Sequence, residues 1–264
     1  MVNIRYLKGV AKYARKRLSY YFADLANIFF YDTVKEPYRL IKVNPAAISM
    51  RLLPSKRTDK DIFANIKKEA LHLYDLERGA FDPKRNTGRI LGGDWDLKKK
   101  PYDVDMMFES YNKRFNEGAN WEDTAVFEQG VGVLEKGGIM YGCRTLEEFK
   151  SKRLDYIDNL CHDIRTNGFR TQNNTLENDK RSQDTYHEIT VNIGRNGELI
   201  YNNCTGNNRL ALAKALQLEY IPVLVVVRHK KWELLKKKVR ENHTSGINSL
   251  LVEQVRSHPD FQAE

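Results

Sequence analysis

The stretch from Tyr186 to His229, YHEITVNIGRNGELIYNNCTGNNRLALAKALQLEYIPVLVVVRH, constrains the fold of this chain more than any other. Ile189, Val191 and Ile193 alternate with polar residues, Asn196-Gly197 marks a turn, and Leu199, Ile200 and Tyr201 resume the apolar pattern. That combination predicts a β-hairpin. The small polar loop that follows runs straight into an Ala/Leu helix, and IPVLVVV has the continuous apolar character of a buried strand. An α+β, or mixed α/β, fold with a helix packed on a sheet is therefore expected.

Upstream, Thr145 with Glu148 three residues on makes a capping box. Leu154, Ile157, Cys161 and Ile164 then share one helical face until Asn167-Gly168 stops it. Residues 4 to about 29 place apolar side chains at three- and four-residue steps, with Arg5, Lys8, Lys12 and Arg15 to Arg17 crowding the first half. This predicts a basic amphipathic helix or helix pair, either docked on the main domain with a solvated charged face or lying on an anionic membrane surface or against nucleic acid. From Lys42 to Lys100 the pattern is irregular, apart from a lysine-rich helix candidate over Asp61 to Leu76. The aromatic run from Pro101 to Tyr141 reads as partly helical, and glycines 130, 132, 137 and 138 mark a loop. Beyond Trp232 the chain is lysine-rich and helical, ending in SHPDFQAE.

The string GGDWD, residues 92 to 96, joins a sharply bendable backbone to two carboxylates around a large ring. One reading makes Trp95 a core anchor and the aspartates local caps. The other turns Asp94 or Asp96 toward a site as a general base or magnesium partner.

A net charge of +9 over 264 residues favours an anionic partner: a nucleotide, a nucleic acid or an acidic membrane surface. Cys143, Cys161 and Cys204 are odd in number and widely spaced, which fits a reducing, cytoplasmic setting. No zinc-ligand spacing accompanies them, so no metal-ligand residues are assigned. Neither a secretory signal nor a bilayer-spanning segment is expected.

The corner Thr205, Gly206, Asn207, Asn208, Arg209 admits three readings: a phosphate seat, a nucleic-acid contact, or a tight turn between core elements. Unpaired amides at a helix start, the positive end of its dipole and an arginine together favour an anion. Gly206 would let a phosphate approach the backbone, and Arg209 would donate a forked pair of hydrogen bonds.

The order of helix, hairpin, Gly-x-x-Arg corner, Ala/Leu helix and IPV strand resembles the ParB/sulfiredoxin superfamily. The matching strings are LDYIDNLCHDIRTNGFRTQ, EITVNIGRNGELIYNNCTGNNRLALAKALQLEYIPVLVVVRH and, more weakly, LIKVNPAAI, centred on residues 145 to 235. GGDWD and the HPDF ending also resemble uncharacterised archaeal proteins that carry this domain. The resemblance implies that the corner cradles the phosphates of ATP, ADP or CTP with Mg2+. It implies a nucleotide-dependent, kinase-like phosphotransferase acting on a small or surface-linked hydroxyl substrate. Asn207 stands where sulfiredoxins carry their cysteine, which argues against sulfinic-acid reduction. Thr205 and Asn208 replace ionisable residues, leaving open a site that binds without turnover.

A phosphotransferase needs a carboxylate to accept the hydroxyl proton, and Asp94, Asp96 and Glu188 are the candidates, with His187 beside Glu188 as a proton carrier and Arg228 and His229 lining the same pocket. No Walker loop, nucleophile elbow or dinucleotide fingerprint is present. The alternatives are a ParB-like DNA-binding protein and a module that binds nucleotide or a membrane surface without catalysis. The expected organisation is a basic helical extension over 1–44, a middle region over 45–142 packed on the core, the ParB/sulfiredoxin-like domain over 143–235 and a helical tail over 236–264.

Overall fold

The structure, a computed structural model, describes residues 39–54, 73–103, 105–171 and 188–263, with isolated positions 18, 22, 25 and 71. The basic helix near the N-terminus, most of the Asp61–Leu76 helix and His187 lie outside the described residues. The chain is of mixed α+β class.

Three strands come from the stretch that dominates the sequence: Ile189–Ile193 (β7), Leu199–Tyr201 (β8) and Ile221–His229 (β9). Four more, Leu40–Val43 (β1), Met50–Leu52 (β2), Arg89–Leu91 (β5) and Lys99–Pro101 (β6), come from the part whose pattern looks irregular. All seven form one sheet in the order β1-β9-β7-β8-β2-β6, with β5 also paired to β9, so strands from both sides of the boundary expected at residue 142 are hydrogen-bonded together. β1 falls inside the region expected to be a helical extension. Tyr74–Asp75 (β3), at the end of the expected Asp61–Leu76 helix, pairs with Ala80–Phe81 (β4) in a separate two-stranded ribbon. Strands of two to four residues carry too few alternations for the period to be read.

β7 departs from its alternating pattern. Thr190 and Asn192 are as buried as Ile189, Val191 and Ile193, because both faces of this central strand are covered. The register shifts between Val191 and Ile193, and there Asn192 Oδ1 accepts from the Val227 amide at 3.3 Å. Asn192 Nδ2 donates to Asn202 Oδ1, and Asn202 exchanges two hydrogen bonds with the Phe81 backbone. The polar positions on β7 thus stitch the ribbon to the sheet, which satisfies groups that burial would otherwise penalise.

Asn207–Ala215 (α5) is buried almost throughout, with Leu210 and Ala213 toward the sheet and Ala211, Leu212 and Ala215 toward a helical layer. A short helix whose Leu and Ala side chains point to two opposite sides must sit between layers. The second layer contains Met106–Asn116 (α2) and Ala125–Glu135 (α3), and Pro83–Asn86 (α1) is a single turn at the ribbon. The third component is a helical run that changes pitch, from a turn at Leu146–Glu148 through a π-helical stretch at Phe149–Leu154 to Asp155–Asn167 (α4). Thr145 caps this run and Gly168, at φ 75°, ends it, as the sequence predicts. Gly130 and Gly132, expected in a loop, lie within α3. A Cβ at Gly130 would come within 2.5 Å of the Phe149 ring, so this glycine is a packing requirement rather than a turn.

Lys230–Arg240 (α6) leaves β9 directly. Ser249–Ser257 (α7) and Pro259–Gln262 (α8) then fold back, with α8 against β1 and Phe261 against the core around Ile41 and Val43.

Candidate functional site

Gly206 caps α5 with φ 83°, in the left-handed region where glycine is favoured. A Cβ there would stand 2.6 Å from the Ile189 Cα, so the close approach this glycine permits is to β7 and not to a ligand. Thr205 is fastened alongside, its Oγ1 donating to the Glu188 carbonyl at 2.8 Å.

The three side chains that follow all turn into the protein. Asn207 Oδ1 accepts from the buried Tyr102 hydroxyl at 2.9 Å, while its Nδ2 donates to the Met107 sulfur. Asn208 Oδ1 accepts from the Tyr111 hydroxyl at 2.9 Å and from Arg153 Nη2 at 2.7 Å. Burial pushes both phenols up, so they remain donors at neutral pH. Arg209, 8% exposed, donates to Glu188 Oε2 at 2.8 Å and to the Arg170 carbonyl, and stacks over the Phe169 ring at 4.4 Å. The guanidinium expected to hold a phosphate is instead a clamp between the end of α4 and the start of β7. The expectation for Arg209 is corrected accordingly: its fork is occupied by a buried carboxylate and a carbonyl.

The backbone remains open. The helix start has no side-chain cap, and among the described residues no acceptor is hydrogen-bonded to the amides of Asn207, Asn208 or Arg209. Asn207 lines a cavity of about 280 Å³ together with Arg51, Arg78, Tyr201, Asn203 and Cys204. Arg51 is anchored by Asp105, and its Nε has no hydrogen-bond partner. Arg78 pairs at 3.3 Å with Asp75, and its side chain is 63% exposed. Asn203, at φ 60°, donates to the Leu52 carbonyl and leaves its own Oδ1 unpaired. Arg78 and Cys204 also line an adjoining cleft of about 550 Å³, walled by Tyr74, Phe81, Asp82, Lys84 and Arg85. Burial raises the Cys204 thiol, which argues against a thiolate nucleophile.

Arg51 and Arg78 escape a sequence reading because neither sits in a motif. Arg51 occupies a three-residue strand, and Arg78 follows an Asx turn in which Asp75 Oδ1 accepts from the Glu77 and Arg78 amides. The DLERG spelling before an apolar pair was the one local signal of that turn.

Asp94 and Asp96 lie at the other end of the hairpin. Arg195, in its turn, donates to Asp94 Oδ1 at 2.8 Å and to Asp96 Oδ1 at 2.7 Å, and the Arg195 amide donates to Asp96 Oδ2. Gly206 packs on Ile189, whereas Arg195 follows Ile193, so the length of β7, roughly 13 Å at a strand's rise per residue, separates them. Both aspartates are therefore corrected from catalytic candidates to anchors of the GGDWD loop, and Trp95 is the core residue of that loop, edge-on to Phe81. Burial would raise the Asp96 carboxyl, but the Arg195 hydrogen bonds outweigh it and hold it below the ordinary value. Asp96→Asn is expected to lower stability by about 1–3 kcal/mol in urea titrations while leaving ligand affinity at the corner unchanged.

Arg228 and His229 also belong to that far end: His229 Nε2 lies 2.9 Å from the Gly93 carbonyl, and Arg228 binds Asp260. Of the carboxylates expected to be catalytic, only Glu188 is beside the corner, and it is fully buried against Arg209. Among the described residues there is no cluster of metal-ligating side chains, and no helix is long and apolar enough to cross a membrane. No protein-family model, curated protein or solved structure matches the chain.

Proposed function

We propose that the protein binds a nucleotide, with its phosphates at the start of α5 and the rest of the molecule in the adjoining cleft. The observation that carries this reading is an uncapped helix start whose first residue lines a cavity with two arginines, Arg51 and Arg78. Helix amides and guanidinium forks are complementary to phosphate oxygens in both charge and geometry. The larger cleft is floored by the core ring of Tyr74 and offers Asp82 as a hydrogen-bond acceptor for a nucleobase or ribose. The ParB/sulfiredoxin resemblance supports the same reading from the sequence side, since helix, hairpin, corner, helix and strand follow one another in that order.

Phosphoryl transfer to a hydroxyl is the finer form of the proposal. With Asp94 and Asp96 at the far end and Glu188 engaged by Arg209, the carboxylate best placed to receive a proton is Asp82. It caps α1 through Oδ1, is paired only at 3.6 Å and in solvent with Arg85, and faces the cleft with its side chain 39% exposed.

Isothermal titration with ATP, ADP and CTP, each with magnesium, tests the binding step. At least one should bind, and Arg78→Ala should weaken it about tenfold or more with little change in melting temperature, since Arg78 loses an exposed pair with Asp75 and one hydrogen bond to Cys204. Absence of heat with all three nucleotides would end the proposal. Release of phosphate or phosphorylation of added alcohols, abolished by Asp82→Asn with binding retained, tests the transfer step.

A further inference from the structure

The C-terminal strap, α7 and α8, is fastened by an unusual plug. Asp260 lies 1% exposed with its Oδ1 accepting from Arg228 Nε at 2.8 Å, and its Oδ2 accepting from Trp232 Nε1 at 3.0 Å and Lys236 Nζ at 2.7 Å. His258 stands beside it, with its ring 4.6 Å from Trp232. Its Nδ1 accepts from the Asp260 amide at 3.1 Å and so caps α8. Its Nε2 lies 2.9 Å from the Gly197 carbonyl in the β7–β8 turn. A carbonyl can only accept, so Nε2 carries the proton and Nδ1 carries none. One neutral tautomer satisfies both bonds, and no protonated ring can.

We propose that the strap is a pH-operated latch, seated on the sheet while His258 is neutral and released when His258 takes a second proton. The new proton must occupy Nδ1, so the α8 cap is lost and the Asp260 amide faces a donor. The charged groups around the ring divide. From α8 the Asp260 carboxylate would welcome a cation, whereas Arg228 from β9 and Lys236 from α6 oppose one. Glu233 on α6 stands 3.0 Å from Lys236 and 3.8 Å from Arg228, and burial raises its own carboxyl. Burial of the imidazole is the largest influence and acts with the cations, holding His258 below its ordinary value. The latch is therefore fully seated above the ordinary histidine range and loosens as pH falls through it toward the lowered value. The loop between α6 and α7, residues 241–248, is largely exposed and includes Asn242 and Gly246 at positive φ. It gives the strap a tether from which to leave without unravelling α6. Release uncovers Trp232 and the Arg228–Lys236 seat, an acid-binding surface.

Hydrogen exchange of the full chain at about pH 7.5 and about pH 5.5, corrected for intrinsic rates, reads the latch directly. Peptides from 249–263 should lose protection roughly tenfold relative to β9 at the lower pH. His258→Asn keeps a capping oxygen and cannot titrate, so it should abolish that difference. The proposal is overturned if strap and β9 respond alike in the natural protein, or if His258→Asn retains the loss. Should the variant prove insoluble, the His258 ring can be titrated by NMR in the natural protein. A ring midpoint matching that of the strap amides supports the latch, and midpoints more than about one pH unit apart sink it.

Discussion

Arg209→Met is expected to lower the stability of the protein by about 3–5 kcal/mol while shifting nucleotide affinity by no more than a few-fold. The guanidinium ties the Arg170 carbonyl and Phe169, at the end of α4, to Glu188 before β7. Removing it takes the Arg209 charge away from the Glu188 carboxylate, 0% exposed, and weakening the compensation of a charge buried that deeply is costly. Surface burial hardly changes, because methionine fills most of the same volume, so the loss reports the charge. Arg209→Lys, which keeps the charge but not the fork, should recover part of the stability. Urea unfolding monitored alongside ATP titration distinguishes two roles for this arginine. A variant as stable as the natural chain that no longer binds nucleotide would return Arg209 to the phosphate seat and displace Arg51 and Arg78 from it.

Asp260→Ala should cost a similar amount, about 3–5 kcal/mol, at neutral pH. It withdraws the carboxylate shared by Arg228 and Lys236, whose side chains are 7% and 0% exposed, and strands the Trp232 indole proton. The effect should depend on pH with a definite sign. Burial alone would raise the Asp260 carboxyl, but Arg228 and Lys236 reverse this and hold it far below the usual range. A depressed carboxyl stabilises the fold fully above the unfolded-state value, near pH 3.9, and that contribution drains away by about 1.4 kcal/mol per pH unit below it. Thermal melts of the natural protein and Asp260→Ala, each compared in the His258→Asn background so that the latch cannot titrate, should differ equally at pH 7 and pH 5 and converge toward pH 2. A difference that grew on acidification would contradict this assignment. The two effects at this locus are also separable: His258 acts in the histidine range, Asp260 well below it.

These two residues show how far the chain could be read before folding. Asp260 sits in the short string HPDF, which carries no local signal of its partners, 24 and more positions away. The spacing points Arg209 at a phosphate, whereas the fold engages it with Glu188 and the Arg170 carbonyl, because residue type and spacing identify a helix start but not which neighbours will reach it. Glu188 was named as a candidate base, and the structure brings it to the corner as the partner of that same arginine. Arg195, which neutralises both GGDWD aspartates, had no pattern to announce it.

The sequence by itself determined the elements whose signals are local. Alternation and Asn-Gly specify the β7–β8 hairpin, an apolar run specifies β9, Thr145 and Gly168 bound a helical run, and the Ala/Leu content after the Gly206 corner specifies the helix α5. Only the tertiary structure decided where charges and short strands went. Strands of two to four residues have no period and are selected by the edges they meet. A buried ion pair is chosen by distance through space, since burial makes any unpaired charge prohibitive and so forces each arginine toward whatever carboxylate the fold brings within reach.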